Sequence, residues 1–146
     1  MYSRILVPVD GSNTATAGLK EAIRLTKNQG GKLCLLHIVD ELVLDYTYGS
    51  GLYAGTVVEA LREGGKKVLA DAQALVQSDG VESEAVLVET IGGPAAVSII
   101  DQANKWRADL IVMGTHGRRG LRRMALGSDA ETVVRTAPVP ILLVRG

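Results

Sequence analysis

Hydrophobic and polar positions divide this chain into two alternating kinds of segment. Short, nearly unbroken apolar runs stand at residues 4–9, 32–39, 84–89, 109–113 and 139–144. Runs of this length, rich in Val, Leu and Ile and closed by Gly, Asp or Pro, read as strands covered on both faces. Between them the apolar residues recur at helical spacing. Ala15, Leu19, Ala22, Ile23 and Thr26 mark one helix over 13–29, and Leu61, Val68, Ala72 and Val76 mark a second over 56–78. Val97, Ile100 and Ala103 mark the face of a third, with Pro94 in its first turn and an end near Arg107. A fourth runs from Ser128 to about Thr136, opening on the capping-box pattern Ser128-x-x-Glu131. Gly30-Gly31 and Asp79-Gly80 stop the first two helices. Gly64-Gly65 predicts a weak point or bend inside the second. Residues 40–55 have no period and hold three glycines and three tyrosines, the composition of a long loop.

Four strand–helix units and a closing strand predict an α/β fold: an open five-stranded parallel sheet with helices on both faces, Rossmann-like, in one domain over residues 1–146. Sheets of this kind take ligands at the carboxyl ends of strands where the strand order reverses. Asp10 ends the first strand and Gly114 follows the fourth, which places the expected switch point between them.

The most informative stretch follows that fourth strand. It reads Gly114-Thr-His-Gly117, then nine residues, then Gly127-Ser128 at the start of a helix. Glycine lets the backbone approach an anion, and a helix N-terminus offers N–H groups and a favourable dipole. Two common phosphate motifs do not fit. A Walker loop needs Gly-Lys-Ser/Thr, whereas this chain has Gly127-Ser128-Asp129. The dinucleotide fingerprint Gly-x-Gly-x-x-Gly does not match Val9-Asp10-Gly11-Ser12 after the first strand. The spacing Gly114-x2-Gly117-x9-Gly127-Ser128 instead resembles the ATP-binding signature of the universal stress protein family. The resemblance extends to Ile5-Leu-Val-Pro-Val-Asp10-Gly-Ser12 and Val139-Pro-Ile-Leu-Leu-Val144, and so covers essentially the whole chain. It implies an adenine nucleotide alpha hydrolase-like sheet of order 3-2-1-4-5.

The resemblance also implies a site. Gly114, Gly117, Gly127 and Ser128 would cradle ribose and phosphates. The backbone of Val39 would meet the adenine edge, and Pro8, Val9 and Met113 would form the apolar lining. Asp10 would contact the nucleoside or Mg²⁺, for which a carboxylate is suited; its plainer role is to cap the turn that follows. His116 would touch ribose or phosphate or simply pack the loop. Arg118, Arg119, Arg122 and Arg123 form the only basic cluster, and one or two of them are candidates for charge-assisted bonds to phosphate. Asp129 departs from the family, which commonly has a small apolar residue there. A carboxylate facing the phosphates would repel them, whereas one facing solvent would only favour the helix end.

Composition narrows the alternatives. A chain of 146 residues buries roughly two-thirds of the surface it exposes unfolded, enough for an independent core. With one Trp, four Tyr and no Phe, that core is aliphatic, and a base-stacking platform for single strands has no material. Formal net charge is zero, so nothing draws the chain as a whole to nucleic acid or membrane. The lone Cys34 lies in an apolar run and reads as a buried, inert thiol. No signal peptide and no apolar run near the ~20 residues of a membrane span is present, which makes the cytoplasm the expected location. Three functions remain open. The first is a nucleotide-binding regulatory protein holding ATP, or else ADP or AMP, and acting as a homodimer through Val139 to Val144. The second is a slow ATPase, autophosphorylating or nucleotidyl-transfer enzyme using the same pocket. The third is a dimeric scaffold holding AMP or nothing.

Overall fold

The apolar runs pair side by side into one sheet in this computed structural model, which describes residues 1–41, 54–116 and 126–146. In chain order the elements are β1 (Arg4–Pro8), α1 (Asn13–Gln29), β2 (Lys32–Asp40), α2 (Ala54–Ser78), β3 (Glu82–Thr90), α3 (Ala95–Trp106), β4 (Leu110–Gly114), α4 (Ser128–Thr136) and β5 (Ile141–Val144). The strands lie in the order β3-β2-β1-β4-β5, and every pair is parallel. Strand order therefore reverses at β1, between β2 on one side and β4 on the other. The loop expected over 40–55 falls largely outside the described residues, as do Gly117 and the four arginines.

Alternation along the strands fills both faces. Ile5, Val7, Val9, Leu33, Leu35, Leu110 and Val112 pack with Leu19, Ala22 and Ile23 of α1 and Leu69, Ala72 and Val76 of α2. Leu6, Cys34, Leu36, Ile111 and Met113 pack on the opposite face with Ala96, Ile99, Ala103 and Trp106 of α3 and Ala130 and Val133 of α4. Cys34 is fully enclosed there, and burial pushes its thiol up to about 11, which keeps it protonated and inert.

Four expectations are corrected. The buried face of α3 is Ala96, Ile99, Ala103 and Trp106, while Val97 is 54% exposed. Trp106 continues that face one turn beyond Ala103. Its Nε1–H donates to Glu84 Oε2 at 2.6 Å, and the Arg4 guanidinium stacks 4.2 Å over its ring. Pro94 is the N-cap of α3 rather than a helical residue. Strand β5 begins only at Ile141, because Pro140 has no N–H for a ladder; its carbonyl still accepts from Ile111 N–H at 3.0 Å. The glycine pair in α2 does not break the helix, which runs unbroken from Ala54 to Ser78. Gly65 lets it close on the sheet: a Cβ there would stand 2.7 Å from His37 Cδ2 and 2.8 Å from Leu87 Cδ1.

Candidate functional site

The carboxyl edge of the sheet gathers the described candidates. β1 ends in the turn Asp10-Gly11-Ser12. Asp10 Oδ1 accepts from Ser12 N–H at 2.9 Å, Gly11 takes a φ of +81°, and Ser12 Oγ accepts from Ala15 N–H at 3.1 Å. Asp10 thus does the turn-capping job, and Ser12 caps α1. Val9 continues beyond the strand, its N–H donating to Leu36 O at 2.8 Å. Its carbonyl is bonded to His37 Nδ1 at 2.8 Å, so that ring nitrogen carries the proton. Val9, Val39 and Met113 are all buried, and Pro8 is half-buried. Val9 packs in the core beneath α1 and α2, Met113 in the core beneath α3 and α4. Their side chains therefore leave the sheet on opposite faces, and an apolar lining shared by both would lie across the strand ends.

β4 ends against α1. A Cβ on Gly114 would stand 2.6 Å from Thr14 Cγ2, so the glycine is required by the helix that packs on it. Beyond it, His116 Nε2 lies 3.3 Å from Thr14 Oγ1 and His116 Nδ1 lies 3.2 Å from Thr115 Oγ1. Gly127 returns to the same place: its N–H donates to Thr115 O at 2.7 Å, and a Cβ on it would meet His116 Cα at 3.0 Å.

That contact sets the start of α4. Gly127 is the N-cap and Ser128 the first helical residue, and no side chain caps the end. The capping box expected of Ser128 and Glu131 is not formed. Tied to Thr115, Gly127 takes the extended N-cap conformation itself, and Glu131 N–H bonds Gly127 O at 2.9 Å. The first N–H groups of a helix have no partner within it. Here they stand beside the end of β4, with the Ser128 and Asp129 side chains both exposed. Donors in this arrangement, with a hydroxyl alongside, fit a phosphate. A cavity of about 220 Å³ also lies between α1 and α2, lined by residues including Val9, Gly11, Leu19, Val68, Asp71 and Leu75. It shares only the β1 end with the loops just described.

The profile of the universal stress protein family matches residues 1–145. The chain belongs to the universal stress protein family. Universal stress protein MJ0531 of Methanocaldococcus jannaschii is 33% identical over 145 residues, covering 99% of this chain and 83% of the relative. Among solved structures, universal stress protein UspA from Lactobacillus plantarum superposes with a TM-score of 0.82 at 27% identity, over 99% of this chain and 98% of that one. A universal stress protein from Archaeoglobus fulgidus in complex with dAMP shares the fold at 24% identity and a TM-score of 0.69, over 98% of each chain. The strand order implied by the family is the one observed.

Sequence reasoning missed Thr14, Thr115 and the bond from His37 to Val9. Nothing in Asn13-Thr14-Ala15-Thr16 marks Thr14 off from Thr16, and only the structure shows it buried. No local pattern could have paired it with His116, 102 residues away.

Proposed function

We propose that this protein binds an adenine nucleotide, ATP or else ADP or AMP, at the carboxyl ends of β1, β2 and β4, and that occupancy is read by partners or by assembly rather than used for rapid turnover. The observation that carries this reading is the α4 N-terminus, uncapped by any side chain and held by Gly127 against Thr115 and His116. Its location at the strand-order reversal supports the reading, because ligands of such sheets sit there. The complex of the Archaeoglobus fulgidus relative with dAMP supports the ligand class. In this reading the backbone from Gly114 to Gly117 and the start of α4 from Gly127 to Asp129 hold phosphates, with Arg118 as a cationic contact. Pro8, Val9, Val39 and Met113 frame the base, and Asp10 contacts ribose or Mg²⁺.

The same reading includes a cytoplasmic location and a homodimer through residues 139–144. Strand β5 has a neighbour on one side only among the described residues, and each of its four residues is partly exposed. An apolar edge strand is a hazard unless covered, and a two-fold partner covers it with its own copy. Calorimetry with ATP, ADP and AMP on ligand-free protein tests the binding, and phosphate release in Mg-ATP tests the absence of rapid turnover. Saturable binding with at most very slow release is the expected result. Turnover of several per second would assign an enzyme instead.

A further inference from the structure

Among the described residues two polar side chains are buried, Thr14 and Thr26. Thr26 satisfies its hydroxyl in the ordinary helical way, donating to Ala22 O at 2.8 Å. Thr14 stands in the first turn of α1, and Asp10, four residues before it, precedes the helix. Its Oγ1 lies instead 3.3 Å from His116 Nε2. Backbone lies close on two sides of the residue: a Cβ on Gly114 would be 2.6 Å from Thr14 Cγ2, and one on Gly146 would be 2.5 Å from Thr14 Cα. Neighbouring backbone therefore closes on Thr14 from the ends of both β4 and β5. The other edge of the His116 ring is held at 3.2 Å by Thr115 Oγ1, and the residue's backbone lies under Gly127. Thr14, His116 and Gly127 form one continuous stack from the first turn of α1 to the residue that opens α4.

We infer that Thr14 is a positioning residue of the nucleotide site: its hydroxyl holds the His116 ring in one orientation, and so fixes residues 114–116 against the α4 N-terminus, where phosphate is received. This rests on the nucleotide reading above. A neutral imidazole has one donor and one acceptor nitrogen, and a hydroxyl can serve either. With a hydroxyl at each ring edge, the ring is clamped whichever way the protons run. A loop ordered in advance loses less conformational entropy when a ligand arrives. The benefit falls on groups that touch the loop, so it favours phosphate-bearing ligands over adenosine.

Two variants separate the hydroxyl from the packing. Thr14→Val keeps the branched shape against Gly114 and deletes the hydroxyl; Thr14→Ser keeps the hydroxyl. The first readout is the imidazole nitrogen spectrum of ligand-free protein, which contains only two histidines. His116→Gln assigns the signals. The His116 Nε2 signal is expected at one hydrogen-bonded position in wild type and Thr14→Ser, and shifted or broadened in Thr14→Val, where that bond is lost. The second readout is calorimetry with ATP and adenosine. Thr14→Val should weaken ATP about three- to tenfold, the loss one ordinary hydrogen bond carries, while adenosine changes by less than about twofold. Thr14→Ser should restore ATP to within about twofold of wild type. An unchanged ring spectrum, or equal losses for ATP and adenosine, would overturn the inference. Wild-type protein that binds neither ligand would overturn the nucleotide reading itself, and the ring spectrum would still decide whether Thr14 holds His116.

Discussion

At the residue scale, two acidic side chains sit in opposite circumstances. Asp109, just before β4, accepts from Ser3 N–H at 2.9 Å, Ser3 Oγ at 3.1 Å and Arg4 N–H at 3.0 Å. Burial alone would raise its pKa, but these bonds outweigh burial and hold the carboxyl below its usual range. A depressed folded value means the stabilisation is present above the unfolded pKa, about 3.9, and is lost as pH falls through the folded one. Asp109→Asn should therefore lower stability by about 1 kcal/mol at neutral pH, a modest figure because the group is partly exposed. Urea melts should show the gap between variant and wild type closing below about pH 4; a constant gap would mean the charge contributes nothing. Asp129 is exposed in the first turn of α4. Two unit charges about 4 Å apart interact by about 4 kcal/mol at an effective dielectric near 20, before screening. If phosphate meets this helix end, Asp129→Val should tighten ATP measured without Mg²⁺ and leave AMP nearly unchanged. Unchanged affinities for both would make Asp129 a helix-end residue only. Glycine variants are poorer probes. Gly114 and Gly127 already lie against Thr14 and His116, so a side chain at either position would disturb the protein before any ligand was involved.

The elements were legible where one physical cause governed them. Nine strands and helices could be read from apolar runs and helical spacing, and α1 has its expected bounds because Ser12 caps it and Gly30 ends it. Where tertiary contact decides, the pattern fails. Two helical series run along α3, and the one that packs is Ala96, Ile99, Ala103 and Trp106, with Trp106 tied to Glu84 and Arg4. The capping box of α4 was misread because the bond from Gly127 to Thr115 is invisible to local sequence. For Gly64 and Gly65 the sequence offers one reading, a weak point, where the structure separates two. A Cβ on Gly64 meets nothing within 4 Å. Gly64→Ala should then raise stability by about 1 kcal/mol through helix propensity. Gly65→Ala should lower it, because the His37 ring is tied to Val9 and cannot move aside freely. Chemical denaturation of both variants checks this, and equal effects of one sign would contradict it.

For the molecule as a whole, alternation of strands and helices determined the parallel sheet, and the order β3-β2-β1-β4-β5 places the ends of β1 and β4 side by side. That adjacency brings Asp10 and Gly114 to one edge of the sheet, where the strand-end reading put the switch point. The stack of Thr14 on His116 was not legible in the sequence, because it joins residues from opposite ends of the chain. If β5 pairs with its own copy, light scattering at micromolar concentration should give twice the 15.4 kDa chain mass; a monomer would remove the dimer from the reading. Backbone amide chemical shifts during titration of ligand-free protein with ATP show whether nucleotide sits at the strand ends beside α4. The expected result is saturable shifts at Asp10, Val39, Gly114 to His116 and Gly127 to Ala130. No shifts, or shifts centred on Val68, Asp71 and Leu75 in the cavity between α1 and α2, would contradict it.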